Sequence, residues 1–242
     1  MKLINLKDKS LASDYVAIEC LKLIQAQPKT ILGLATGNTM TEVYPRLSEL
    51  LNANHNDLSQ VQTFNLDEYV GLEPKHSQSY YTYMHQRLFD HNESWQTSNI
   101  HIPQGHVDDL EAEAQRYEDH LKRIGQPDLQ LLGIGENGHI GFNEPGTSFD
   151  SETRVVDLTE STIKANSVNF DNIEDVPKQA VSMGLNSIMR AKRIILLAFG
   201  ERKRDAIKRL LNEEVSENLP ASILHNHPNV EVIVDDTIYN HL

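Results

Sequence analysis

Short apolar runs alternate along this chain with longer stretches whose apolar residues recur every three or four positions. Residues 30–35, 61–65, 128–134, 193–199 and 230–234 have the length and apolar content of buried strands. Between them, Leu110, Ala114, Tyr117, Leu121 and Ile124 fall on one helical face, as do Ile207, Leu210 and Leu211. Val16, Cys20 and Leu23 are in step on another helical face, and residues 79–89 carry Tyr80, Tyr81 and Tyr83, suited to core packing or to a lid. Strand, helix, strand in succession predicts a Rossmann-like α/β fold, an open, mostly parallel sheet with helices on both faces. The loops leaving the strand C-termini of such a sheet gather at one edge, where ligands bind. Residues 146–176 are the least periodic part and are expected to wrap that edge as loop and short elements.

The 242 residues, 39% of them hydrophobic, suffice for one substantial core, so residues 1–242 are read as a single domain. No apolar run approaches the ~20 residues of a membrane span. The N-terminus turns polar at Lys7 and Asp8, too soon for a secretory signal, so a cytoplasmic chain with no membrane partner is expected. Cys20 is the single cysteine, and its place on an apolar helical face makes it a core residue rather than a nucleophile. A net charge of −13 argues against nucleic acid as a partner, since phosphate backbones are held by clustered Lys and Arg.

The candidate chemistry lies in the segments that follow strands. Gly133, Gly135 and Gly138 spell G-x-G-x-x-G, the spacing of a dinucleotide-binding turn. That fingerprint needs a helix to open at the third glycine, and Gly141, Pro145 and Gly146 forbid a long one, so a nicotinamide cofactor is not expected. The same stretch supplies Asn137, His139 and Glu144, which a tight glycine turn can fold together. A histidine held by a carboxylate is the usual proton shuttle at neutral pH.

After the strand at 61–65, Asp67 and Glu68 place adjacent carboxylates at the ligand edge. Neighbouring side chains on extended backbone point opposite ways, so only one faces the site, and Asp67, which follows the apolar Leu66, is the candidate proton-transfer group. After the strand at 30–35, Thr36, Gly37, Asn38 and Thr39 resemble a phosphate cradle opening a helix. The plain alternative is a capping box formed by Thr39 and Glu42, with Pro45 limiting where the helix begins. The segment lacks a P-loop lysine, which disfavours nucleoside triphosphate hydrolysis. Lys203, following the strand at 193–199, is placed to reach an anion, the alternative being a charged helix surface.

Four segments together, Ala-Thr-Gly-Asn-Thr at 35–39, Phe-Asn-Leu-Asp-Glu-Tyr-Val-Gly-Leu at 64–72, the glycine-rich run at 133–146 and Ala-Phe-Gly-Glu-Arg-Lys at 198–203, resemble the glucosamine-6-phosphate deaminase (isomerase) family. Residues 79–81, 176–180 and 220–224 also resemble family segments, so the resemblance spans nearly the whole chain. It implies a Rossmann-like α/β fold and a cofactor-free conversion of glucosamine 6-phosphate and water to fructose 6-phosphate and ammonia. On the matching positions it implies that His139 moves a proton at the ring oxygen during ring opening, that Glu144 orients and charges the imidazole, and that Asn137 completes the group. Many relatives carry Asp at the position of Asn137, where the amide positions but takes no proton. Asp67 would remove the C2 proton of the open-chain sugar and return it to C1. Thr36, Gly37, Asn38 and Thr39 would hold the phosphate with Lys203.

This chain departs from the family pattern in three places. Asn38 and Met40 stand where relatives often have Gly and Pro, Val168 where some have a phosphate-contacting Arg, and Val156 where allosteric members have a Lys. Arg46 and Lys164 are the candidate cations to compensate for Val168. Val156, with the chain ending at Leu242, predicts no activation by an amino-sugar effector, although Arg154 remains. A homo-oligomer is left open.

A 6-phosphogluconolactonase-like hydrolase is the rival enzyme, with the same fold and a Gly-His loop. Here His139 is followed by Ile-Gly-Phe-Asn-Glu-Pro, whereas the lactonase pattern continues as Ser-Leu-Phe-Pro. A non-catalytic sugar-phosphate sensor would normally carry a DNA-binding segment, for which this acidic chain has no room. His225 and His227 lack a partner at metal-ligand spacing and are read as a solvated turn, so no metal site is expected. The acidic stretch at 108–113 fits a helix start, where negative charge is favourable.

Overall fold

The computed structural model describes all residues from Met1 to Leu242. The first half of the chain forms β1 (Lys2–Asn5), α1 (Lys9–Ala26), β2 (Ile31–Leu34), α2 (Val43–Ala53), β3 (Gln62–Asn65), β4 (Asp67–Tyr69), α3 (Tyr80–Arg87), β5 (Ile100–His101) and α4 (Leu110–Ile124). The second half forms β6 (Leu129–Gly133), β7 (Arg154–Asp157), α5 (Glu160–Asn166), β8 (Gln179–Ser182), α6 (Leu185–Met189), β9 (Ile194–Ala198), α7 (Arg204–Asn212), β10 (Val230–Val234) and α8 (Asp236–Tyr239). No helix is long and apolar enough to cross a membrane.

Seven strands make one parallel sheet in the order β1-β10-β9-β6-β2-β3-β5. All five residues of β9 are buried, as a strand flanked on both sides must be. Helices flank the sheet: Phe64 of β3 meets Tyr117 of α4 edge-on at 5.9 Å, while Tyr44 of α2 donates its hydroxyl to Ala35 O. The expected α/β architecture is the one observed. The acidic helix start is also observed, with Asp109 accepting from Ala112 N at 3.0 Å and Glu111 and Glu113 in the first turn of α4. Cys20 is fully buried on α1, and burial pushes its thiol up to about 12, which fits a core residue.

The strand order places the site. From β2 the chain moves outward to β3 and β5, then returns to β6 on the other side of β2 and continues to β9 and β10. The loops after β2 and β6 therefore diverge at a topological switch point, the crevice where open α/β sheets bind ligands.

Residues 146–176 hold, as expected, loop and short elements: the strand β7, the helix α5 and two 3-10 turns. Other expectations are revised. β4, β8 and β7 form a second, antiparallel sheet of three strands, which the sequence did not announce. It is tied to the main sheet where Met183 N donates to Leu66 O at 2.8 Å. Its own small core comprises Tyr69, Phe142, Val156, Leu158 and Ala180. Val156 is thus an apolar packing residue, and Arg154 donates to Asn143 Oδ1 at 2.9 Å. The edge strands β1 and β5 were also unforeseen.

The capping box does not form. Residues 38–40 make one 3-10 turn, α2 starts only at Val43, and its cap position, Glu42, makes no side-chain capping bond. Pro45 lies in the first turn of α2, where its missing N–H costs nothing. The solvated turn read for His225 and His227 holds for His225, which is exposed, and fails for His227. Their Nε2 atoms contact the carbonyls of Leu210 at 2.6 Å and Ala191 at 2.7 Å, and His227 is buried.

Candidate active site

The pleat of β4 separates the two adjacent carboxylates. Glu68 turns toward the start of α3, where its oxygens accept from the backbone N–H groups of Tyr80 and Tyr81, both at 2.9 Å, and from Tyr69 N at 2.8 Å. It thereby satisfies donors that the first turn of a helix leaves free. Asp67 turns the other way, into a cavity, and is 6% exposed. Burial, with the Glu68 charge beside it, pushes its carboxyl up to about 8. The effect of burial prevails because no cation and no hydrogen-bond donor of the chain offsets it. A buried carboxylate with free lone pairs and a pKa near neutrality is suited to carrying a proton to and from carbon.

The loop after β6 folds back on itself. Gly138, with φ of 89°, closes a turn in which Gly138 N donates to Gly135 O at 3.0 Å and Gly135 N to His139 O at 2.8 Å. The His139 ring then lies over Gly135, where a Cβ would come within 2.3 Å of it. No helix opens here, so the dinucleotide reading fails for the reason expected. His139 Nδ1 stands 3.3 Å from Glu144 Oε2, an ion-pair contact not aligned as a hydrogen bond. Asn137 bridges the pair, donating from Nδ2 to Glu144 Oε2 at 2.6 Å and accepting from His139 N at 3.2 Å. Burial acts to raise the Glu144 carboxyl, but the His139 imidazole, the Thr162 hydroxyl and the Asn137 amide outweigh it and bring the group down to about 2. A Cβ on Gly141 would stand 3.8 Å from Asp67 Oδ2, so this loop and β4 converge.

At the other end of the cavity, the turn after β2 presents its backbone. Within residues 36–40 only Met40 spends its N–H inside the chain, on Gly37 O at 3.1 Å. These donors come from a 3-10 turn ahead of α2 and not from the first turn of that helix, which begins at Val43. Tyr83 of α3 secures the turn by donating to Gly37 O at 2.8 Å. Opposite lies Lys203, partly buried and without an ion pair; burial holds its ammonium below the ordinary value, with Glu136 acting against that shift.

Asp67, Asn137, His139, Thr36, Gly37, Asn38, Thr39 and Lys203 all line this one cavity of about 680 Å³, and Glu144 stands directly behind His139. The volume suits a small polar ligand. Neither proposed compensating cation is there. Arg46 is engaged by Asp14 and, at 3.2 Å, by Glu42, while Lys164 is exposed on α5, and neither lines the cavity. Val168 is 77% exposed and also lies outside the lining.

Sequence reasoning passed over Arg202, which does line the cavity. Its neighbour Glu201 pairs with Arg204 at 3.4 Å, leaving Arg202 without a carboxylate partner. Its place beside Lys203 in the turn after β9 was the available signal. Tyr80, half-buried and packed on Tyr69 with ring centroids 4.8 Å apart, forms a wall of the cavity. The hydroxyls of Thr159 and Thr162 on Glu144 were missed too, since nothing in their spacing points to a carboxylate that far back in the sequence.

A parallel sheet with acid–base groups and unpaired cations around a switch-point cavity has the arrangement of an α/β enzyme acting on a small anionic substrate. The chain belongs to the family of glucosamine-6-phosphate isomerases/6-phosphogluconolactonase, whose model matches residues 9–234. It is 81% identical over 242 residues to the glucosamine-6-phosphate deaminase of Staphylococcus haemolyticus, covering 100% of both chains. Against a Staphylococcus aureus protein of the same name the identity is 59% over 236 residues, 98% of this chain and 94% of that one. A solved monomeric glucosamine-6-phosphate deaminase matches with a TM-score of 0.96 at 43% identity over 99% of both chains. The 6-phosphogluconolactonase of Trypanosoma cruzi matches with a TM-score of 0.82 at 19% identity, over 100% of this chain and 96% of that one, a likeness of fold alone.

Proposed function

We propose that this chain isomerises and deaminates glucosamine 6-phosphate to fructose 6-phosphate and ammonia, in amino-sugar catabolism. The backbone donors of Thr36, Gly37, Asn38 and Thr39 grip the phosphate together with Lys203 and Arg202, and the sugar lies toward β4. His139, oriented by Asn137 and Glu144, moves a proton between the anomeric hydroxyl and the ring oxygen, which opens the ring. Asp67 then takes the C2 proton and returns it to C1 while one proton of the C2 ammonium passes to the aldehyde oxygen, so that C1 becomes a hydroxymethyl group and C2 an iminium. Water adds at C2 and ammonia leaves.

The division of labour follows from the chemistry: a hydroxyl proton and a carbon-bound proton are moved by separate groups, so neither must hold two protonation states at once. The ammonium of the bound sugar is a cation near Asp67 and draws its carboxyl back toward the ionised form that can act as base. No step calls for a cofactor or a metal. One copy of the chain carries every residue of the cavity, and we place the reaction in the cytoplasm, where phosphorylated sugars are retained.

The observation that carries this reading is the buried, unpartnered Asp67 sharing one cavity with His139. The purified chain, given glucosamine 6-phosphate without metal or nucleotide, should release ammonia, and the substrate should exchange its C2 proton in deuterated water. No ammonia release across the pH range refutes the reading. Hydrolysis of 6-phosphogluconolactone without ammonia release would assign the lactonase activity instead.

A further inference from the structure

The two oxygens of Glu144 serve different parts of the fold. Oε2 faces the loop after β6, where the Asn137 amide and the His139 imidazole meet it. Oε1 faces α5: Thr162 donates its hydroxyl to it in a short hydrogen bond, and Thr159 Oγ1 lies 3.2 Å away. Thr159 is also the N-cap of α5, accepting from Thr162 N at 3.3 Å, and its hydroxyl stands 3.1 Å from that of Thr162. Thr162 is buried and forms part of the cavity wall, so its hydroxyl is committed to Glu144 rather than to solvent.

We propose that Thr162 is a positioning residue for the proton shuttle, its hydroxyl anchoring Glu144 Oε1 so that Oε2 is held against His139. This rests on the reading of His139 and Glu144 as the ring-opening pair. Two consequences follow. A carboxylate anchored on one oxygen keeps the imidazole in one orientation, which a free carboxylate with three rotatable bonds does not. The same hydrogen bond draws negative charge toward Oε1 and tempers the hold of Glu144 on a proton shared with His139. The other charged and titratable groups around the cavity are Asp67 on β4, Tyr80 on α3, Glu136 on the loop after β6, and Glu201, Arg202 and Lys203 after β9. Of the titratable groups only His139 makes an ion-pair contact with Glu144, so loss of the Thr162 hydroxyl is felt first by that pair.

The test compares Thr162→Val, which keeps the shape and removes the hydroxyl, with Thr162→Ser, which keeps the hydroxyl. For Thr162→Val we expect kcat to fall about 10-fold with KM changed less than about 2-fold, as for loss of one hydrogen bond to a charged group. The limb of the pH–rate profile governed by the His139–Glu144 pair should move up by about half a pH unit or more, because a carboxylate with one donor fewer binds a shared proton more tightly. Thr162→Ser should restore both readings.

Unchanged kcat and an unchanged limb in Thr162→Val overturn the proposal. So does a Thr162→Ser protein as impaired as the Val variant, since returning the hydroxyl would then restore nothing. If Thr162→Val does not fold, as judged by circular dichroism, Thr162→Ala and Thr162→Ser are compared by the same two readings. Wild-type protein that releases no ammonia refutes the deaminase reading itself. An active wild type with an unaffected Thr162→Val protein refutes only the role of Thr162.

Discussion

Replacing Asp67 by Asn should silence the carbon-acid step and stabilise the fold in the same stroke. Burial with Glu68 beside it pushes the Asp67 carboxyl up to about 8, from an ordinary value of 3.8. Between those two values the folded protein keeps a proton that the unfolded chain has released, so folding becomes less favourable as pH rises from about 4 to about 8. By pH 7 about three pH units of this have accumulated, and at about 1.4 kcal/mol each they set a ceiling of about 4 kcal/mol on the destabilisation. Asn occupies the same space and does not titrate. Urea unfolding of both proteins at several pH values from about 5 to about 8 should show the variant more stable, by a margin that widens with pH. Glu68 titrates in both proteins, so the difference reports mainly on Asp67. The same variant should lose C2 proton exchange by roughly 10²–10⁴-fold while still binding substrate. A stability margin that does not change with pH would mean that Asp67 is ionised and solvated in the native state. Retained exchange would mean that the base is elsewhere.

Other substitutions separate the remaining roles. His139→Gln should lower turnover of the closed-ring sugar by at least about 10²-fold, and normal steady-state turnover would dismiss its part in ring opening. Lys203→Gln should raise KM by about 10- to 100-fold with kcat changed little, the loss expected for one charge-assisted hydrogen bond of about 1.5–3 kcal/mol. An unchanged KM would move the anion site away from this turn. Gly135→Ala should abolish turnover while circular dichroism stays that of the wild type, since the new methyl would lie 2.3 Å from the His139 ring. Wild-type activity in that protein would show that the ring can yield without consequence.

The central strands β2, β6, β9 and β10 were legible because each is mainly apolar and flanked in the sheet on both sides, while β3, Gln-Thr-Phe-Asn, showed only through Val61 and Phe64. β1 and β5 were not, since strands of four and two residues at the sheet edges carry too little pattern. The second sheet was hidden for another reason: β4 reads Asp-Glu-Tyr, and only its pairing with β8 makes it a strand. That Asp67 and not Glu68 faces the cavity was nonetheless legible, because alternation along extended backbone depends on covalent geometry alone. The turn at 36–39 does line the cavity, whereas the plain alternative, a cap from Thr39 and Glu42, fits in sequence but is not made by the chain. Thr162 and Thr159 could not be picked out, since what they do lies in what the fold brings beside them, whereas Arg202 could have been, from its place next to Lys203.

The pairing of β4 with β8 sets Asp67 opposite Ser182 and Glu68 opposite Val181. Because neighbouring residues emerge on opposite sides, the strand acts like a reading frame, and slipping it by one position would exchange the two acids. The glutamate would then project into the sugar cavity, and the aspartate, one methylene shorter, would be left to reach for the amides of Tyr80 and Tyr81. Deleting a single residue at the Leu66–Asp67 junction should therefore do more harm than any point change there. It would turn Asp67 out of the cavity and uncap a helix together, and no side chain elsewhere could undo both errors.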